Sequence, residues 1–343
     1  MNQHQIIESK PLLNAEGNLN EPGYAKRLLP VYSKPHDSWG RFHSKEWDYY
    51  YIGNEHYGAA LTIADNGYMG LDSFSFLNFD DRWQTTQSKM QIMTMGKKNL
   101  PISSETGDVC SSGHGYSIEF INRGTSRILK ASMENFKDGQ RFMADIELNS
   151  IPAESMVICT PFDKDRHYYF NQKINTMRAS GRVTVGSAIY PFDSGDSFAT
   201  LDWGRGIWTY QNTWYWSSLN ADIDSHAFGF NLGYGFGNTS AASENMLFYD
   251  GKAHKLDQVE FHIPVKDGKD DFLSPWSVTS NDQRVNLTFE PILNRAALTD
   301  ALILKSDQNQ VFGRFTGDCV LDDGKIIHLD HKIGFAEKVF NKW

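Results

Sequence analysis

The chain has 343 residues, 40% hydrophobic and 22% charged, which describes a soluble globule of one large or two ordinary domains and excludes a disordered polymer or a helical rod. Phe, Tyr and Trp supply 13% of the residues and glycine occupies 28 positions, a mixture that suits strands and tight turns better than helix interiors. A formal charge of −9 argues against broad contact with nucleic acid or anionic lipid, which needs clustered Lys and Arg.

From Met1 to Leu19 the sequence is polar, with no apolar run of signal-peptide length, and no uncharged apolar stretch approaches the roughly 20 residues of a membrane-spanning helix. The expectation is a cytoplasmic protein. Pro22 to Leu29 reads as a short turn of helix. Beyond it, turn-bounded segments of alternating polarity predict antiparallel strands. Trp47 to Ile52 and Ala59 to Ala64 form a hairpin, followed by an Asp65-Asn66-Gly67 turn. Further strands are predicted at Tyr116 to Asn122, Ile128 to Phe136, Phe142 to Leu148, Val157 to Thr160 and Tyr168 to Ala179, with Lys137-Asp138-Gly139 as one turn.

The second half gives strands at Thr213 to Leu219, Ala227 to Gly233, Asn245 to Tyr249, Lys255 to Ile263, Val285 to Glu290, Val311 to Leu321 and Ile326 to His331, with hairpin turns at Asp250-Gly251 and Asp323-Gly324. Arg295 to Leu304 fits helix and strand equally. Ala336, Val339, Phe340 and Trp343 fall at helical spacing and predict a short C-terminal helix. The halves echo one another, since Trp47-Asp48-Tyr49 before Gly58 to Leu61 resembles Trp214-Tyr215-Trp216 before Phe228 to Asn231. The fold class read from these signals is all-β, in two similar barrels. The division is expected at 1–185 and 186–343.

Cys110, Cys159 and Cys319 are odd in number and form no close pair, so they are expected to stay reduced. The densest candidate site runs from Asp202 through Trp203, Arg205, Trp208 and Tyr210 to Trp214 and Trp216, and holds four of the nine tryptophans. Charges among large aromatics are costly to bury unpaired, so Asp202 and Arg205 either bond each other at a barrel crossover or serve a ligand. Alternation places Trp214 and Trp216 on one strand face and Tyr215 on the other. Glu244 is a candidate catalytic carboxylate and His226 a candidate ligand contact, although turn chemistry with an edge charge accounts for Glu244, and a loop hydrogen bond for His226, more simply.

Gly233-Tyr234-Gly235-Phe236-Gly237 lacks the spacing of a dinucleotide or phosphate loop. In His328-Leu329-Asp330-His331, alternation turns His331 away from the other two polar residues, so no metal is expected there. Neither a Gly-x-Ser-x-Gly elbow nor a His-Glu-x-x-His helix occurs. No cofactor is implied.

Several motifs carry a family resemblance: Lys45-Glu46-Trp47-Asp48-Tyr49, Thr62-Ile63-Ala64-Asp65, Thr160-Pro161-Phe162, Asp202 to Gly206 with Trp214 to Trp216, Phe228 to Gly237, Glu244-Asn245-Met246-Leu247, Pro275-Trp276 and Gly334-Phe335-Ala336-Glu337-Lys338. Over nearly its whole length the chain resembles a bacterial domain-of-unknown-function family related to the tandem lipocalin-like proteins that include carotenoid hydratases. The resemblance implies a pair of calycin-type β-barrels with an apolar cavity in at least one. It supplies no reaction, because the hydratases' catalytic residues do not map onto this sequence one by one.

Two functions follow. In the first, residues 202 to 216 line a barrel cavity that holds a lipid, terpenoid or aromatic molecule, with Asp202 and Arg205 structural or anchoring its polar end. In the second, an apolar pocket keeps Asp202 protonated so that it acts as an acid, while Trp208, Tyr210, Trp214 and Trp216 stabilise a carbocation for hydration or isomerisation. Asp202 close to Arg205 would favour the first. Carbohydrate binding ranks below both.

Overall fold

A computed structural model describes residues 3–301 and 304–342. Period-two burial drives its architecture: in Gln140–Asn149 the pattern alternates regularly, with Phe142, Ala144, Ile146 and Leu148 inward. Tight turns with left-handed residues at Asp138-Gly139 and Asp250-Gly251 close hairpins where the sequence places them. Every pairing between its named strands is antiparallel, in two large curled sheets and a separate two-stranded ribbon of Val265–Lys266 with Lys269–Asp270. Strands from Gly23–Ala25 to Phe198–Ile207 build the first sheet, and strands from Gln211–Ile223 to Ile326–Lys342 the second. Hydrogen-bonded partnership thus changes sheet between Ile207 and Gln211.

Each sheet curls around its own core. The first encloses Leu61, Phe74, Phe142, Phe170, Leu201 and Trp203, the second Phe230, Trp276, Phe289, Phe315 and Cys319. Both interiors are packed with side chains. The outer faces then meet: Tyr49, Tyr51, Leu77 and Phe79 pack on Trp216, Leu293, Phe312 and Phe335. A polar clasp fixes their relation. At a bulge in Tyr168–Val185, where Thr176 adopts φ +60°, Asn175 Nδ2 donates to Ser218 Oγ (2.8 Å) and the Phe230 carbonyl (3.1 Å), and Thr176 N donates to Asn220 Oδ1 (2.8 Å).

Three local expectations require correction. The C-terminal helix is instead the strand Ile326–Lys342, paired with both Gln211–Ile223 and Leu304–Val320. Ile333, Phe335, Glu337 and Val339 face the other sheet while Ala336 faces the second core, so the apolar residues at helical spacing belong to opposite faces of a doubly buried strand. Trp343, included in that expectation, lies outside the described residues. Pro22 to Leu29 contains the strand Gly23–Ala25 rather than a helical turn, because its backbone pairs with Val157, Ile158 and Cys159. Lys255 to Ile263 is split into Lys252–Lys255 and Val259–His262. The ambiguous segment Arg295 to Leu304 is strand at both ends, in Val285–Ala301 and Leu304–Val320, and residues 302 and 303 lie outside the described residues. Among the described residues one α-helix occurs, Ser38–His43, and no helix is long and apolar enough to cross a membrane.

Candidate functional site

Between the sheets the aromatic seam opens into a cavity of about 290 Å³. Strand register assembles its polar floor. Across the first sheet Thr62 pairs with Tyr49, Tyr49 with Asp202, and Asp202 with Lys173, so four neighbouring strands put their outward side chains in one row. Across the second, Gln310 pairs with Glu337, Glu337 with Trp216, and Trp216 with Gly233. Facing the two rows together creates the site. Thr86, Ser88, Ala296 and Ala297 are exposed at its mouth, whereas Lys173, Asp202, Glu244 and Glu337 at its floor are each no more than 9% exposed.

Lys173 Nζ lies 3.0 Å from Asp202 Oδ1 and 3.9 Å from the centre of the Trp216 ring, so an ion pair and a cation–π contact hold one ammonium. Asn171 Nδ2 donates to the same Asp202 oxygen at 2.6 Å. Glu337 receives Trp214 Nε1 on Oε1 at 2.9 Å and Gln310 Nε2 on Oε2 at 2.8 Å. Burial raises the Glu337 pKa to about 7, with those two donors, Arg295 and Lys173 opposing the rise. Burial also raises Glu244, against the attraction of Lys173. The Glu244 carboxyl lies over Gly233, where a Cβ would approach Oε1 to 2.7 Å, and its Oε2 has no hydrogen-bond partner among the described residues. Trp208 Nε1 is likewise buried without one.

Asp202, Trp208, Trp214, Trp216 and Glu244, all singled out in the sequence, converge on this cavity. Trp203, Arg205, Tyr210 and His226 do not line it. Asp202 and Arg205 stand three residues apart on one strand and therefore point to opposite faces. Arg205 instead caps the first barrel: its Nη2 reaches Asp48 Oδ1 at 3.0 Å and the Pro101 carbonyl at 2.8 Å, over the Trp203 ring. Tyr210 is exposed in the link between sheets, and His226 pairs with Asp250 at a hairpin end, 2.6 Å away. Tyr215 stacks on Tyr234 at 4.4 Å, away from Trp214 and Trp216, as alternation requires.

Lys173 and Gln310 escape the sequence reading, and Trp47, Tyr49 and Glu337 stand in its family motifs without a site role. For Glu337 the signal is a carboxylate in an otherwise apolar period-two set, Ile333, Phe335, Glu337 and Val339. The cavity also lies outside the barrel interiors, correcting its expected position. Those interiors are filled by large side chains, and the free volume remains where two aromatic outer faces meet imperfectly.

Two curled antiparallel sheets with a shared cavity define a tandem lipocalin-like protein. The chain belongs to the family described as Domain of unknown function (DUF2804), which matches residues 3–343. Among curated proteins no relative matches. The fold is similar to the kievitone hydratase of Nectria haematococca (TM-score 0.51, 11% identity, covering 97% of this chain and 98% of that one). It is also similar to the AttH-assigned protein of Nitrosomonas europaea (TM-score 0.51, 11% identity, covering 87% of this chain and 92% of that one).

Proposed function

We propose that the inter-sheet cavity is an active site in which a buried carboxylic acid protonates an apolar or aromatic small molecule, for hydration or isomerisation. The observation that carries this reading is Glu337, whose pKa of about 7 lies beside Trp214 and Trp216 in a cavity open at one end. Buried ionisable groups cost several kcal/mol each unless compensated, and a passive apolar sleeve gains nothing from four of them. Asp202, the acid chosen from sequence, is engaged by Lys173 and Asn171 and positions that ammonium instead. The unpartnered Glu244 Oε2 and Trp208 Nε1 suit a ligand carrying a polar group on its apolar frame.

In the proposed reaction the Glu337 O–H bond breaks as a C–H bond forms at an electron-rich carbon. The resulting cation faces the aromatic wall. Water then adds its oxygen, returning a proton to the carboxylate; in isomerisation, the neighbouring carbon returns it. The Nectria neighbour's hydratase name is compatible with this chemistry. A carrier of the same molecule is the second reading, favoured by the paired state of Lys173 and Asp202.

The test uses small molecules that co-purify with the protein, identified by native mass spectrometry and returned to it in deuterated water. Wild-type protein should place deuterium on carbon or add the mass of water, and Glu337→Gln should do neither. Recovery of the bound molecule unchanged from wild type would establish the carrier reading.

A further inference from the structure

We infer that a second cavity, at the open end of the first barrel, binds a small phosphate monoester. It has a volume of about 250 Å³ and is separate in its lining from the inter-sheet site. Lys34, Arg41 and Lys97 line it, with Glu46 as its carboxylate. In a chain of net charge −9 this is a local reversal of sign.

The pairing of these cations is incomplete. Among the described residues the buried Lys34 Nζ makes no hydrogen bond, and its ion-pair partner, Glu46 Oε2, lies 3.8 Å away. Glu46 is itself shared, receiving the Tyr32 hydroxyl at 2.9 Å and facing Arg205 Nε at 3.9 Å. Among the described residues the Arg41 and Lys97 side chains have no hydrogen bond or ion pair. The buried Lys34 ammonium with unused donors is the costly group, and with two solvent-facing cations beside it a multiply charged oxyanion satisfies it. Phosphate matches this better than carboxylate, because three cations on separate segments can each take a different oxygen. Pro35 and Met95 add an apolar wall, which suits the organic part of an ester.

The experiment is calorimetric titration of the full chain with phenyl phosphate, inorganic phosphate, sodium phenylacetate and sodium acetate at constant ionic strength. Phenyl phosphate should bind saturably and more tightly than inorganic phosphate, with both acetates silent. Arg41→Gln and Lys97→Gln, both at exposed positions, should each weaken it about tenfold. Lys130→Gln, an exposed cation on another strand, should leave it unchanged. Absence of saturable phosphate binding overturns the proposal, as does equal weakening by Lys130→Gln, which would mark diffuse charge attraction. Acetate binding as tight as phosphate would overturn the assigned ligand class.

Discussion

Glu337 joins stability and chemistry in one side chain. Its folded pKa of about 7 exceeds the ordinary 4.5, so the folded state retains a proton that the unfolded chain releases between those values. Its contribution to stability is full below about pH 4.5 and lost as pH rises towards 7, a swing on the order of 3 kcal/mol. Glu337→Gln should flatten that slope in urea unfolding measured from pH 4.5 to 7. An unchanged slope would show that Glu337 does not retain the proton. Lys45 and Lys255, lowered to about 7 by burial, titrate in the opposite sense and raise stability above that window. Catalysis should require the acid form and decline as pH passes 7.

The Lys173–Asp202 pair belongs to the same scale. Asp202→Asn leaves a buried ammonium without its nearest carboxylate and should cost about 3 kcal/mol by chemical denaturation. Adding Lys173→Met should restore much of that loss. If the double variant is as unstable as the sum of the singles, the two groups are not coupled.

At the scale of the element, Phe198–Ile207 shows why a strand must be read face by face. Its burial is continuous, and it pairs on both sides, with Ser44–Gly53 and Tyr168–Val185. Asp202 and Gly204 turn to the inter-sheet site, Trp203 and Arg205 to the first barrel. The aromatic density of this block was legible in the sequence, but proximity along the chain did not reveal that its charges serve two different interiors. Gly204 is required because the Trp47 ring covers it: an added Cβ would come within 2.0 Å of that ring. Gly204→Ala should destabilise the protein by about 1 to 3 kcal/mol and displace Trp47 from the cavity wall, read as lower urea resistance and a changed tryptophan spectrum. Normal stability with an unchanged spectrum would contradict this packing.

The all-β class, most strands and the paired architecture of the whole molecule were legible because alternation and turn chemistry are local. Strands such as Met69–Asn78 and Trp83–Ile92 were missed; the first is buried almost throughout and the second largely exposed, so neither shows clean alternation. The cavity was less legible, since it depends on how the outer face of one sheet meets that of the other. We propose two units that meet between Ile207 and Gln211, where strand pairing changes sheet, rather than at residue 185, with the inter-sheet clasp coupling them. Asn175→Ala removes hydrogen bonds to Ser218 and Phe230 and should cost about 1 to 3 kcal/mol in urea unfolding. A negligible loss would show that the clasp does not couple them.

A functional cavity between the sheets leaves one decisive observation to make. A crystal structure of the protein with a co-purified ligand or an aromatic alcohol tests it most directly. Electron density should lie against Trp47, Trp214 and Trp216, with the ligand's polar group near Glu244 or Glu337. Density inside either barrel core, with the inter-sheet cavity filled only by water, would contradict it.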